Sequence, residues 1–158
     1  MLDDNDLIWN RYRPFFEKKA NEGVEHKRLR SFLMYYAMVL GYEIINEPLC
    51  DGKEPDVIGI KNINGVEFVF LADAKDANNE TPSNSETIKR IDGYIETFSR
   101  LNLLGDIAIA TNTYEAAKDW KIFLEKNCEK HSLNMYNGEK AKFNIKSINE
   151  KTYLVVAL

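Results

Sequence analysis

The sequence lacks any long hydrophobic run. Its longest apolar stretch is Phe32–Leu40, which has nine residues. A membrane-spanning helix needs about 20 consecutive apolar residues. The stretch therefore suits a buried helix, and we expect no membrane segment.

Cysteine is also scarce. The chain has two cysteines, Cys50 and Cys128, which is too few for a disulfide framework. The first six residues are mostly acidic and show neither the basic nor the apolar region of a secretory signal. We expect a cytoplasmic protein with reduced thiols.

There is no excess of positive charge. The formal net charge is −4 and the isoelectric point is about 5.3. This argues against a protein that binds nucleic acid through its overall charge alone. Basic residues cluster locally, as in Lys27-Arg28 and Lys89-Arg90, and each cluster is either a solvated helix face or a local contact for an anion.

Proline and glycine are few, with 4 and 8 residues, and no stretch resembles an interdomain linker. With 158 residues, of which 44% are apolar, the chain can bury one core. We predict a single domain over 1–158. It comprises an N-terminal helical extension over 1–20, a core over about 22–111, and a C-terminal helix and strands over 112–158.

Hydrophobic periodicity predicts three main helices and six strands. The helices are expected at about 22–40, 85–101 and 114–130. The second is predicted to begin with a capping box, in which Ser83 is the N-cap residue and Glu86 is the acid three residues later. The strands are expected at 42–46, 55–60, 66–75, 107–110, 141–148 and 152–157. The order predicts an α/β domain with a mixed central sheet flanked by helices.

Asn64-Gly65 lies between two of these strands and is a strong signal for a two-residue type I′ turn. If these are the turn residues, Asp56 lies directly opposite Asp73, and Lys75 follows on the same face. A four-residue loop would instead make the two acids diagonal neighbours.

Two opposed carboxylates, with Cβ atoms roughly 4.5–5.5 Å apart, repel each other. They either share a proton or hold a cation, and a hard divalent ion with oxygen ligands would relieve the repulsion. The alternative is a solvated strand end, where Asp73 pairs with Lys75 and Asp56 caps a turn.

A third acid is expected on the first helix. Glu25 precedes Leu29, Phe32 and Tyr36 at helical spacing, which predicts that its carboxylate points toward the sheet. Glu22 lies one turn earlier on nearly the same face and is the second candidate. An ordinary first-turn acid favoured by the helix dipole is the other interpretation of Glu25.

Pro55-Asp56, followed by a strand and then Asp73-Ala74-Lys75, resembles the PD-(D/E)xK nuclease superfamily, also called restriction-endonuclease-like. The resemblance covers roughly 22–110, where the predicted order of elements matches the family's αβββαβ core. Many members carry a glutamine on the following helix, whereas this chain has Lys89 and Arg90 in that region.

The resemblance implies that Asp56, Asp73 and the carbonyl of Ala74 bind Mg²⁺ or Mn²⁺. It implies that Glu25 binds a metal-coordinated water or a second ion, and that Lys75 orients the attacking water and stabilises developing charge. Lys89 and Arg90 are possible phosphate contacts. Tyr94 lies one turn beyond Arg90, where packing is its expected role.

The expected function is therefore a metal-dependent DNA endonuclease, acting as a homodimer or within a larger nuclease or defence complex. One alternative is an inactive nucleic-acid-binding or protein-interaction module on the same fold. Another is a glycosidase with a carboxylate pair, although a lysine beside the acids favours a phosphate substrate.

Overall fold

The computed structural model describes residues 22–45, 55–133 and 141–157. Within them lie three helices, α1 (Val24–Val39), α2 (Ser85–Arg100) and α3 (Tyr114–Lys130). The six strands are β1 (Glu43–Ile45), β2 (Val57–Ile63), β3 (Val66–Lys75), β4 (Gly105–Thr111), β5 (Asn144–Asn149) and β6 (Thr152–Val156). The N-terminal extension predicted over 1–20 lies outside the described residues.

The strands form one mixed sheet in the order β1-β2-β3-β4-β6-β5. Only β3 and β4 are parallel, and the other neighbours are antiparallel. Because α2 lies between β3 and β4 in the chain, it makes the crossover that a parallel pair requires. The prediction of a mixed sheet flanked by helices is confirmed.

The β2–β3 hairpin has the predicted turn and register. Asn64 and Gly65 have φ of 51° and 83°, as a type I′ turn requires. Ile63 pairs with Val66, and the ladder continues without a slip to Val57 opposite Ala72. Asp56, one residue before β2, therefore lies beside Asp73.

Alternate residues of β3 enter two different cores. Val69 and Leu71 belong to the apolar cluster shared with α2 and α3. Phe70 and Ala72 belong to the cluster shared with α1. Thus α1 covers one face of the sheet and the other two helices cover the opposite face.

The helix ends show one difference from the sequence prediction. Helix α1 is followed by Gly41 at φ 89°, as expected for a left-handed residue after a helix. The cap of α2 is Asn84, whose side chain accepts hydrogen bonds from the backbone N–H groups of Glu86 and Thr87. The prediction of Ser83 as the cap was wrong by one residue, because an asparagine side chain caps as well as a serine. No helix among the described residues is long and apolar enough to cross a membrane.

Candidate active site

The hairpin brings Asp56 and Asp73 together through reciprocal hydrogen bonds. The backbone N–H of Asp56 donates to Oδ1 of Asp73 over 2.8 Å. The backbone N–H of Ala74 donates to Oδ2 of Asp56 over 2.9 Å. Each carboxylate is thus anchored to the other's strand, which fixes both at the end of β3.

Lys75 lies against this pair. Its Nζ is 3.0 Å from Oδ2 of Asp73 and 3.0 Å from Oε2 of Glu80, which belongs to the segment after β3. Asp73 and Lys75 share a face because they are two residues apart in a strand. Burial opposes the charge on Lys75, but the two carboxylates outweigh it and hold the pKa of Lys75 above its usual value.

Tyr94 of α2 contacts Asp73 from the core side of the site. Its ring is buried in the core, and its hydroxyl lies 3.4 Å from both carboxylate oxygens of Asp73. Burial and the charge of Asp73 raise the pKa of Tyr94, so the hydroxyl stays protonated. Packing was the predicted role of Tyr94, and the structure adds this polar contact.

The two aspartates have different charge states. Burial and the neighbouring charge of Asp56 raise the pKa of Asp73 to about 7, against the opposing effect of Lys75. Burial would raise the pKa of Asp56 as well, but hydrogen bonding and charge from His26 outweigh it and lower that pKa. Asp56 is therefore the more fully ionised member of the pair, and Asp73 is only partly ionised near neutral pH.

A series of charged groups on α1 and in the segment just before it leads to Asp56. Arg30 donates from Nε and Nη2 to the two oxygens of Glu22, over 2.8 and 2.9 Å. Oε2 of Glu22 lies 2.5 Å from Nδ1 of His26, whose Nε2 lies 3.0 Å from Oδ2 of Asp56. The hydrogen bond to Asp56 raises the pKa of His26 to about 9, so this imidazole is positively charged at neutral pH.

Glu25, the predicted helix acid, has other partners. Its carboxylate accepts two hydrogen bonds from Arg28, each of 3.0 Å, and a third of 3.2 Å from Asn112. The hydrogen bonds from Arg28 and Asn112 lower the pKa of Glu25 to about 2. Glu22, which lies just before α1, and not Glu25, is the acid linked to Asp56 through His26.

The physical reason is the rotation of α1 about its axis. The buried face of α1 runs through Leu29, Leu33 and Ala37, whereas Phe32 and Tyr36 are only half-buried. Extended toward the N-terminus at spacings of three and four, this face reaches His26 and then Glu22. A face centred on Phe32 and Tyr36, as predicted from the sequence, would instead have turned Glu25 toward the sheet.

Lys89 and Arg90 are exposed on α2. The positive charge of Arg90 reaches Tyr94, where it opposes the rise in the tyrosine pKa, so this residue lies near the site. Both side chains remain open to an anion from solvent.

Asn112, which follows β4, connects the end of that strand to α1 and to the segment after β3. The sequence did not single it out as a site residue. Its Nδ2 donates to Glu25 and, over 3.1 Å, to Oδ1 of Asp76, while its Oδ1 accepts from the N–H of Ala77 over 2.9 Å. Its position one residue after a buried parallel strand was the available signal, since strand ends gather at one edge of a sheet. For His26, the signal was its spacing between Glu22 and Leu29.

Asp56 and Asp73 supply oxygen donors of the type that a divalent cation prefers. Oδ1 of Asp56 makes no hydrogen bond to any described residue. Burial, and after it the charge of Asp56, raises the pKa of Asp73. The carbonyl of Ala74 points to the same side of β3 as its N–H, toward Asp56, because the two groups of one strand residue share a direction. Within 22–45, 55–133 and 141–157, no three or more His, Cys, Asp or Glu side chains are grouped as a metal site. The set is therefore two carboxylates and a backbone oxygen.

Comparisons with models of known protein families, with curated proteins and with solved structures found no match to this chain.

Proposed function

We propose that this protein is a metal-dependent endonuclease that hydrolyses DNA phosphodiester bonds. The observation that carries the proposal is the arrangement of Asp56, Asp73 and Lys75 at the end of β3. It combines two oxygen-rich acids with one buried ammonium group. Hydrolysis of a phosphodiester needs this combination, because negative charge must be neutralised while water is directed at phosphorus.

The order of elements supports the resemblance to the PD-(D/E)xK superfamily. From α1 to β4 the chain runs helix, three antiparallel strands, helix and a strand parallel to the third. This is the αβββαβ order of that superfamily's core, and the acids and the lysine occupy the positions that the motif requires.

Asp56, Asp73 and the carbonyl of Ala74 would hold Mg²⁺ or Mn²⁺. When bound, the ion supplies Lewis-acid activation of water and of the phosphoryl oxygen. Lys75 places a positive charge beside the same phosphate and orients the attacking water. His26 holds Asp56 in its ionised form, and Tyr94 supports Asp73 from the core.

The proposed substrate is DNA, and charge distribution bears on how it is recognised. The net charge of −4 gives little bulk attraction for a polyanion. Basic side chains are nevertheless present on two of the helices, with Arg90 on α2 and with Lys27 and Arg28 on α1. Stable binding is therefore expected to depend on a second copy of the chain, forming a homodimer, or on a nuclease or defence complex.

The direct test is incubation of the purified protein with supercoiled, linear, branched and single-stranded DNA, in Mg²⁺, in Mn²⁺ and in chelator. Cleavage that requires the ion and is lost in Asp73→Asn is the expected result. Cleavage that survives the chelator, or that is equal in Asp73→Asn, would overturn the proposal.

A non-catalytic binding module is the second candidate. The observation that favours it is the engagement of Glu25 with Arg28 and Asn112, which removes one member of the expected acid set from the pair. Calorimetry with Mn²⁺ separates the candidates, since a module without a metal site would show no saturable heat.

A further inference from the structure

The segment between β3 and α2, residues 76–84, carries an acid that contacts the proposed catalytic lysine. We call this segment the 76–84 loop. Oε2 of Glu80 lies 3.0 Å from Nζ of Lys75, opposite the contact with Asp73. The mechanism proposed above assigns no role to Glu80, and sequence reasoning did not single it out.

The exposures of the two side chains show which one faces solvent. The side chain of Lys75 is 1% exposed, and that of Glu80 is 26% exposed. Asp73, the other partner of Lys75, is buried on the core side. Of the two carboxylates that contact Lys75, Glu80 is therefore the one that solvent reaches.

The 76–84 loop is fixed at both ends. Asn112 binds the Asp76 side chain and the N–H of Ala77, and Asn84 caps α2. The N–H of Glu80 donates to the carbonyl of Asp76 over 2.8 Å. Rotation of the Glu80 side chain is therefore enough to uncover Lys75, without rearrangement of the backbone.

We propose that the Glu80 carboxylate occupies the position on Lys75 that a substrate phosphate takes, so that substrate must displace it. A carboxylate and a phosphate are both anionic acceptors for an ammonium group, and each forms the same kind of short charge-assisted hydrogen bond. This inference rests on the proposed function. It assigns Glu80 as a built-in competitor that weakens substrate binding.

The proposal makes a specific kinetic prediction. The Glu80–Lys75 contact exists in the free protein but not in the complex, so its removal favours the complex over the free state. Glu80 is displaced in both the complex and the transition state, so its removal leaves the step between them unchanged. Glu80→Ala and Glu80→Gln should lower KM and the Kd for DNA about three- to tenfold, with kcat within about twofold.

The first experiment measures whether Glu80 shields Lys75, by contact and by charge, without reference to cleavage. Each protein is treated briefly with acetic anhydride, and acetylation of Lys75 is followed by mass spectrometry. Lys75 should be protected in the wild type and react at least about tenfold faster in Glu80→Ala. Glu86→Gln is the matched control, because this exposed acid in the first turn of α2 makes the same charge change nearby. Equal protection of Lys75 in all three proteins would overturn the proposal.

The second experiment measures binding of a fluorescent duplex DNA in Ca²⁺, followed by KM and kcat in Mg²⁺. Tighter binding by both Glu80 variants and not by Glu86→Gln is expected. Faster acetylation with unchanged DNA affinity would show that Glu80 covers Lys75 but does not compete with phosphate, which overturns the proposal. If Glu80→Ala fails to fold, as judged by circular dichroism, Glu80→Gln carries both tests.

The two proposals fail in different ways. If no DNA is cut under any condition while acetylation and DNA affinity both rise in the Glu80 variants, the nuclease function fails and the competitor role stands. If ion-dependent cleavage is found and the Glu80 variants match the wild type in every measurement, the nuclease function stands and the competitor role fails.

Discussion

Asp73 is the residue on which most of the site's chemistry depends. It contacts Lys75, Tyr94 and the backbone of Asp56, and its side chain is almost completely buried. Because burial and Asp56 raise its pKa to about 7, a cation that bound Asp73 near neutral pH would displace the proton from the fraction that is protonated. Metal binding and proton release are thus coupled at this one carboxyl group.

Two substitutions separate the metal role from the phosphate role. Asp73→Asn should abolish both Mn²⁺ binding and cleavage, because the ion loses a charged ligand. Lys75→Ala should lower the cleavage rate by on the order of 10²–10³ and leave Mn²⁺ binding intact, because it removes a group that acts on the transition state. Calorimetry with Mn²⁺ and a plasmid-nicking assay on both variants measure these effects. Unchanged ion affinity in Asp73→Asn, or wild-type cleavage by Lys75→Ala, would contradict the mechanism.

His26 links protonation to stability. Its pKa rises from 6.5 to about 9 on folding, since the charged imidazole bridges Asp56 and Glu22. The stabilisation is therefore fully present below about pH 6.5 and is lost as the pH rises through about 9. His26→Gln should lower the free energy of unfolding by about 1–3 kcal/mol at pH 6 and by less than about 1 kcal/mol at pH 10. Urea denaturation of both proteins at the two pH values tests this, and an equal loss at both would exclude a charged bridge.

At the scale of elements, the close approach of β4 to β3 depends on Gly105. Its φ is 132°, and a Cβ at this position would lie 1.9 Å from the carbonyl oxygen of Val69. The preceding residue, Leu104, accepts a hydrogen bond from the N–H of Val69 over 2.8 Å, which holds the two backbones together. The start of the parallel pair therefore has no room for a side chain.

Gly105→Ala should lower the free energy of unfolding by about 3 kcal/mol or more, through collision with β3 and backbone strain. Gly65→Ala is the matched control. Its φ is 83°, but nothing lies within 4 Å of the added Cβ, so only strain of about 1 kcal/mol is expected. Chemical denaturation of the two variants gives the comparison. Similar losses would mean that backbone conformation, and not close packing, dominates at Gly105.

At the scale of the whole molecule, the site lies at the ends of the neighbouring strands β2 and β3, between the two apolar clusters that cover opposite faces of the sheet. Asp73 extends from the strand face covered by α2, whereas Asp56 is contacted by His26 from α1 on the other side. A cation bound by Asp56 and Asp73 would therefore join elements from both layers. Its binding should be visible as a change in global stability.

The effect of Mg²⁺ on the melting temperature should depend on pH. Folded Asp73 keeps its proton up to about pH 7, against 3.8 for the free carboxyl, so its contribution to stability falls as the pH rises between these values. At pH 8 the ion meets an ionised carboxylate and should raise Tm by about 3–8 °C at saturating concentration. At pH 5.5 the ion must displace a proton, and the shift should be close to zero. Differential scanning calorimetry measures both shifts. A shift of equal size at both pH values, or one that persists in Asp73→Asn, would place the ion elsewhere.

The sequence by itself determined the β2–β3 hairpin and the pairing of its two strands. Asn64-Gly65 favours a turn with positive φ at both positions, and the register then extends residue by residue to Asp56 and Asp73. Such features are local, since they depend on backbone conformation and on pairing across a short loop. The bounds of α3, and the end of α1 before Gly41, could likewise be predicted from local sequence features.

Only the tertiary structure decided which side chains surround the two aspartates. The choice of Glu22 over Glu25 depends on how α1 is rotated against the sheet, and a shift of a fraction of a turn exchanges one acid for the other. The contacts of Glu80 with Lys75 and of Asn112 with Glu25 join residues from separate elements, at positions that no periodic pattern marks. These contacts depend on the packing of whole helices and loops against the sheet, whereas the sequence pattern reports only which face of each element is apolar.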